Sequence, residues 1–314
     1  MSWLASPSQL NATGVLSLNA RNGDSIMRLN PRAAYPLVDD KVRCKAVLEA
    51  LDMPVPGLIG VLRRSGDSSH FADLLDGQSE FVIKPANGSG GDGILVIAGC
   101  RGDKYLAVDG RLWDTDELAH HLTNVISGLY SLGGQPDYAM LEELVAFDPV
   151  FDRIAFQGVP DIRIIVYRGV PVMAMIRLPT RASHGKANLH QGAIGVGISI
   201  GTGATTKAVL GNHHVNEHVD TGAELTAFNV PCWEQMLTMA ANCYKAVGLG
   251  YLGVDIVLDK DRGPLVLELN ARPGLNIQIA NGEGLRRRLL LVDAADIADA
   301  QVPERVAWAR SELN

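Results

Sequence analysis

The chain has 314 residues, 47% hydrophobic and 20% charged, with a formal net charge of −7 at pH 7. That balance suits a globular protein long enough for two lobes, and the acidity argues against nucleic acid as the main partner, which calls for a basic face. No run approaches the ~18 consecutive apolar residues of a membrane span, MSWLASPSQLNATG lacks a secretory pattern, and four scattered cysteines read as reduced thiols of a cytoplasmic protein.

Residues 1–40 carry Asn, Gly and Pro at short intervals and are expected to be an irregular N-terminal segment. A helix begins near Asp39–Asp40, where two acids suit the positive end of a helix dipole, and Val42, Ala46, Val47 and Leu51 repeat at helical spacing. MPVPG breaks it, LIGVL reads as a strand, and a short helix lies around FADLL. Phe81–Lys84 and Ile94–Ile97 are strands flanking a glycine-rich loop. A hairpin turns at Asp109–Gly110. The next helix runs from Thr115 to about Leu132, capped by Asp114 or Thr115 and ended by Gly133–Gly134. Tyr138–Val145 is a strand. DIRIIVYRGVPVMAMIRLP holds two strands turning at Arg168–Gly169, and a Gly-rich stretch from Gly185 to Gly203 follows. Cys232–Val247 has a helical pattern. VDIVLD and PLVLELN pair around a turn at Asp261–Gly263, and a terminal helix starts near Asn281. Strand pairs with intervening helices give an α+β fold.

The loop in FVIKPANGSGGDGILVI raises the question of function. A P-loop places Lys after its glycines and opens a helix, and the dinucleotide fingerprint also needs a helix. Protein kinases put the glycine loop before the strand that bears Lys. Here Lys84 precedes the loop and the β-formers ILVI follow it. Two readings remain: a plain hairpin, or a β-loop-β flap. In a flap, Gly88, Gly90, Gly91 and Gly93 bring backbone N–H groups up to an anion beside Lys84.

GVDIVLDKDRGPLVLELNARPG supplies the next signal. Period-two alternation puts Glu268 and Asn270 on one strand face, and Asp255 on the neighbouring strand can share it. Two carboxylates and an amide oxygen form a hard oxygen set suited to Mg²⁺ on nucleotide phosphates. The bland alternative is a solvated polar face. Asp161 and Arg163 likewise share a face, Arg177 ends the paired strand, and Asn188 follows in a loop. Together they offer cations and donors for developing phosphate charge, whereas each arginine singly reads as a surface ion pair. GNHHVNEH, with His214 and His218 four apart, reads as a solvated hairpin or loop ahead of a zinc site.

Taken in order, DDK, VIKPANGSGGDGI, EELV, DIR, NLHQG, GVD and LELNARPG resemble the ATP-grasp carboxylate–amine ligases, in the branch of alpha-L-glutamate ligase-like proteins related to those that modify a ribosomal protein. The resemblance runs from about Asp40 to Gly274. It implies two α+β lobes clasping ATP, with the segment before Lys41 standing in place of a complete N-terminal α/β domain. It divides the chain into a segment 1–40, a lobe 41–140 with the flap, and a lobe 141–314 with the metal site. Lys41 and Lys84 are implied as phosphate lysines and Gly88, Ser89, Gly90 and Gly91 as the flap. Glu142, Glu143, Leu144 and Val145 are implied as the adenine linker, with Asp148 at the ribose. Asp255, Glu268 and Asn270 are implied as ligands of Mg²⁺, and Arg163, Arg177 and Asn188 as the acyl-phosphate and substrate side.

The activity implied is ATP- and Mg-dependent joining of a carboxylate to an amine through an acyl phosphate, with glutamate or another amino acid added to a peptide or small molecule. Two alternatives share these residues. One is a nucleotide-binding module that acts through a protein partner or as a homo-oligomer. The other is a phosphotransferase that stops at a phosphorylated product.

Overall fold

The computed structural model describes residue 6, residues 12–88 and residues 90–314. The chain forms two units: one comprises residues 40–45 and 55–146, the other residues up to 39 together with 46–54 and 147–314. The helix Lys41–Glu49 contributes its first residues to the smaller unit.

The smaller unit is built on a six-stranded antiparallel sheet, ordered β1-β6-β2-β3-β4-β5. Its strands are β1 (Leu58–Leu62), β2 (Glu80–Pro85), β3 (Leu95–Arg101), β4 (Lys104–Ala107), β5 (Leu112–Trp113) and β6 (Ala139–Glu143). Alternation divides β2 cleanly. Phe81 and Ile83 point into a core with Leu95, Ile97, Leu141 and the helix Thr115–Ile126. Val82 and Lys84 therefore lie on the opposite face. The helix starts with a capping box, in which Asp114 accepts from the Glu117 N–H at 2.8 Å and Glu117 accepts from the Asp114 N–H at 3.0 Å. Leu118, Leu122, Val125 and Ile126 form its buried stripe. It stops at Ile126, short of the expected Leu132, because Gly128 turns at φ +88° and a Cβ there would lie 2.1 Å from the Gln135 carbonyl oxygen.

The larger unit carries a seven-stranded antiparallel sheet, ordered β11-β10-β9-β8-β7-β12-β13. These are β7 (Asp161–Tyr167), β8 (Val170–Leu178), β9 (Ile194–Ile198), β10 (Thr205–Leu210), β11 (His213–Val215), β12 (Tyr251–Asp259) and β13 (Gly263–Asn270). β7 and β12 are buried along their whole length, their apolar residues interrupted by the buried charges Asp161, Arg163, Asp255 and Asp259. Arg168 and Gly169 both take positive φ, +50° and +80°, in the two-residue turn joining β7 to β8. The helix Trp233–Val247 packs on β7 and β8, Val302–Glu312 packs on β8 and on that helix, and Ile277–Asn281 packs on β8, β9 and β10.

β9 lies inside the glycine-rich stretch from Gly185 to Gly203. Its glycines are there for close packing. A Cβ on Gly197 would lie 2.7 Å from the Ala280 carbonyl oxygen, and one on Gly195 2.9 Å from Leu189. The expected single terminal helix is instead three, Ile277–Asn281, Leu285–Ala295 and Val302–Glu312, parted by Gly282 and Asp296 in left-handed conformation. Residues 12–39, expected to be irregular, belong to the larger unit and hold short helical segments at Leu18–Ala20, Arg21–Met27, Arg32–Ala34 and Pro36–Asp39. The Asn30 side chain accepts from the Tyr251 N–H at 2.9 Å and donates to the carbonyls of Tyr251 at 2.7 Å and Ala271 at 3.1 Å. Gln278 exchanges two hydrogen bonds with the Leu16 backbone, at 2.8 and 3.1 Å.

Candidate functional site

In the smaller unit the polar face of β2 and β6 gathers one carboxylate and two ammonium groups. Val82 pairs with Glu142, so Lys84, two residues along, shares the Glu142 face. Glu142, 2% exposed, accepts an ion pair from Lys84 on one oxygen and from Lys45 on the other, the latter at 2.6 Å. Burial pushes the Glu142 carboxyl up, and the two ammonium groups more than reverse this, leaving it below the usual range. Lys45 also donates to the Pro56 carbonyl. One helical turn earlier, Lys41 donates to the Gly88 carbonyl at 2.6 Å. The i, i+4 spacing thus directs two lysines of one helix to the loop and to the strand. Lys45 was not among the expected site residues, although this spacing from Lys41 was its signal.

The glycine loop is fixed at its base by a residue that sequence reading passed over. Asp137, 2% exposed, accepts from the Asn87 N–H, from the Asn87 amide at 2.7 Å, from the Tyr138 N–H at 2.7 Å and from the Ser131 hydroxyl. Gly88 is required sterically, since a Cβ there would lie 2.4 Å from Pro85 Cγ. Gly90, Gly91 and Gly93 all take positive φ, +71°, +83° and +75°. Ser89 lies outside the described residues. The Glu143 N–H donates to the Gly57 carbonyl at 2.9 Å, and its side chain lies over Gly57, where a Cβ would be 2.4 Å from it. Leu144 is half-buried and Val145 buried.

In the larger unit a row of charges crosses four adjacent strands. Register places Arg177 opposite Asp161, Arg163 opposite Asp255, and Asp255 opposite Glu268. Arg163 donates in a fork to Asp255, with Nε to Oδ1 at 2.7 Å. Arg177 donates at 2.9 Å to Asp255 and in a second fork to Asp161. Burial raises the Asp255 carboxyl, but the two guanidiniums carry it well below the usual carboxylate range. Asp161 is pushed up to about 6 by burial, with Arg177 opposing and the Asp255 charge adding to the rise. Arg177 is held above its ordinary value: burial works against it, and Asp161 and Asp255 prevail.

Glu268 and Asn270 project from the same face of β13, both half-buried. The Asn270 Oδ1 accepts from the Arg272 N–H at 2.9 Å. Arg272 in turn lies over Tyr35 and donates to the Asp39 carboxylate at 3.0 and 3.1 Å. Oxygen donors alone fit a hard divalent cation such as magnesium. Glu268 and Asn270 meet that requirement. Asp255 stands beside them with both oxygens already accepting from guanidiniums, and among the described residues no three acidic, histidine or cysteine side chains form a metal-binding group.

The remaining expected residues have local roles. Asn188 caps the short turn Leu189–Gln191, accepting from the His190 N–H at 3.0 Å. Asp148 caps Pro149–Phe151 by accepting from the Val150 N–H at 2.9 Å. In the histidine-rich stretch, His213 and His214 are exposed on β11. His218 is 1% exposed, with Nε2 on the Pro179 carbonyl at 2.9 Å and Nδ1 accepting from Asp220 N–H, a structural histidine.

A family model described as sugar-transfer associated ATP-grasp matches residues 20–294. A probable alpha-L-glutamate ligase of Pectobacterium carotovorum is 26% identical over 249 residues, which cover 79% of this chain and 59% of the relative. The chain therefore spans about six-tenths of that protein. Another probable alpha-L-glutamate ligase, from Sodalis glossinidius, is 24% identical over 274 residues, covering 86% and 69%. Among solved structures, a biotin carboxylase–ATP complex from Campylobacter jejuni is similar in fold, with a TM-score of 0.52, 17% identity, and coverage of 82% of this chain and 46% of that one. No helix among the described residues is long and apolar enough to cross a membrane.

Proposed function

The chain belongs to the sugar-transfer associated ATP-grasp family, and on that premise we propose that it is an ATP-dependent ligase joining a carboxylate to an amine through an acyl phosphate. The group proposed to be added is glutamate or another amino acid, and the acceptor a peptide or small molecule. The observation that carries the reading is the row Arg177, Arg163, Asp255, Glu268 and Asn270 across β8, β7, β12 and β13. It combines two preorganised guanidiniums with the side-chain oxygens of Glu268 and Asn270 on one sheet.

Magnesium-bound ATP supplies the phosphoryl group in such chemistry. Glu268 and Asn270 would hold the ion, and Asp255 would hold the arginines beside it. Arg163 and Arg177 are the donors for the acyl oxygen as negative charge develops there. Their forks on buried carboxylates fix their planes in advance, so little reorganisation is needed at the moment of reaction. In the smaller unit, Lys84 and the backbone amides of Gly88, Gly90 and Gly91 are assigned to the phosphates, with Lys41 bracing the loop through the Gly88 carbonyl. The backbone of Glu142–Val145 is assigned to the adenine edge, Asp148 to the ribose, and Asn188 to the substrate side.

The test is ADP release with magnesium and ATP against a panel of amino acids and small carboxylates, with and without amines. Turnover is expected only when an acid and an amine are both present, and the double variant Glu268→Ala, Asn270→Ala should lower it by on the order of 100-fold or more. A phosphorylated acid formed without an amine would make the protein a phosphotransferase instead. Turnover untouched by the double variant would overturn the assignment of these residues.

A further inference from the structure

The smaller unit contains a cavity-lining constellation that the ligase reading does not use. A cavity of about 310 Å³ is lined by Arg111, Trp113, Glu117, His120, His121, Asn124 and Tyr130. Four of these residues, 117, 120, 121 and 124, form an i, i+3, i+4, i+7 stripe on the helix Thr115–Ile126, on a different side from the buried stripe of Leu118, Leu122 and Val125. A stripe of Glu, His, His and Asn has no role in packing a core. Here it is one wall of a cavity at the small end of the ligand-pocket range, which begins at about 300 Å³.

The chemistry of the walls narrows the ligand. The formal charges in the lining are opposite and paired, Arg111 donating to Glu117 at 3.0 Å, so the cavity favours neither an anion nor a cation. Arg111 also lies 3.9 Å over the Trp113 ring, which holds the pair in place. Asn124 offers both amide donors and an amide acceptor. The His121 Nε2 faces the Gly93 carbonyl at 3.1 Å, and a carbonyl only accepts, so Nε2 carries the proton. Burial, the leading influence, lowers the His121 pKa and keeps the ring neutral, which leaves Nδ1 as an acceptor. Trp113 turns its ring surface to the cavity, while its indole N–H is buried away from it. Trp113, His121 and Tyr130 are consecutive ring contacts, with centroids 5.8 and 5.6 Å apart, and give the cavity apolar ring surfaces.

We propose that this cavity is a binding site for a neutral, hydroxyl-rich ring, a free monosaccharide by chemical class. Hydroxyl groups both donate and accept, as Asn124 and His121 require together, and the C–H faces of a sugar ring suit aromatic walls. The site touches the glycine loop. His121 bonds the Gly93 carbonyl, and a Cβ on Gly93 would lie 2.5 Å from the Tyr130 ring, so both walls bear directly on the loop. Occupancy therefore steadies residues 90–93. None of this depends on what the loop binds.

The experiment is a titration of the full chain, without nucleotide, with D-glucose, D-galactose, D-mannose and N-acetyl-D-glucosamine in turn, read by tryptophan fluorescence. At least one sugar should give a saturable change, weakened tenfold or more in Asn124→Ala and in His120→Ala, both surface-facing changes on the helix. At saturation, amide hydrogen exchange of the 90–93 segment should slow several-fold in the wild type and not in Asn124→Ala. No saturable response from any of the four sugars overturns the proposal. So does a response that both variants leave unchanged, which would place the sugar elsewhere, or saturation by acetate or citrate in place of the sugars, which would make the ligand an anion.

Discussion

The two sheets solve the problem of buried charge in opposite ways. In the smaller unit two ammonium groups, Lys45 and Lys84, share one carboxylate, Glu142, and the cluster carries an excess positive charge. In the larger unit two guanidiniums, Arg163 and Arg177, meet three carboxylates, Asp161, Asp255 and Glu268, and the excess is negative. An excess positive cluster beside a glycine loop suits phosphate oxygens, and an excess negative one suits a divalent cation. The choice of side chain follows the same division. Lysine is a mobile point charge and adapts to a ligand. Arginine is a rigid fork whose direction is set by what it grips.

The comparison can be broken most forcefully at Asp255. Asp255→Ala leaves Arg163 and Arg177 buried without their shared partner and should cost about 3–5 kcal/mol, read as a fall in the urea midpoint. A cost below about 1 kcal/mol would mean that the row is not a tightly held unit. Glu142→Gln comes next, at about 2 kcal/mol at pH 7. Its pH dependence is the sharper test. The fold depresses the Glu142 carboxyl, so its contribution is fully present above the unfolded value of 4.5 and is lost as pH falls through the lower folded value. Wild type and Glu142→Gln should therefore differ at pH 7 and converge below about pH 4.5; a gap that stayed constant through that window would remove the ionic account. The smallest effect is expected at the loop tip, which has no counterpart in the arginine row. Gly90 sits at φ +71° with no atom within 4 Å of where a Cβ would stand, so Gly90→Ala should cost about 1 kcal/mol through backbone strain. A much larger loss would show that the tip packs against something.

Much of the arginine row was legible in the sequence because strands obey a period of two. Asp161-x-Arg163 and Glu268-x-Asn270 fix their own faces, and only the register between strands had to be found in space. The ion pairing was not legible: nothing in the spacing says that Asp255 grips Arg163 and Arg177. Asp137 was missed for a related reason. It lies fifty residues beyond Asn87, and no local pattern encodes its bonds to the loop or the Gly88–Ser131 bridge beside them. β9 was hidden because Gly195 and Gly197 weaken the strand signal, and the close approach of Ala280 that makes glycine necessary is visible only in the fold. The elements read best, β7, β8, β12 and the helix Trp233–Val247, are those with long apolar runs or strong helical periodicity.

The Asn30 side chain carries a last consequence. Its amide forms three bonds, to both backbone groups of Tyr251 and to the Ala271 carbonyl. It therefore works as an extra rung of peptide, laid across the beginning of the strand that bears Asp255 and the end of the one that bears Asn270. A chain shortened to begin at Asp40 would lose that rung and leave a buried strand start needing new partners. For anyone trimming the protein to a minimal nucleotide-binding piece, Asn30 is thus a stitch in the fabric of the larger sheet, and cutting it should be felt four residues away at the arginines' anchor.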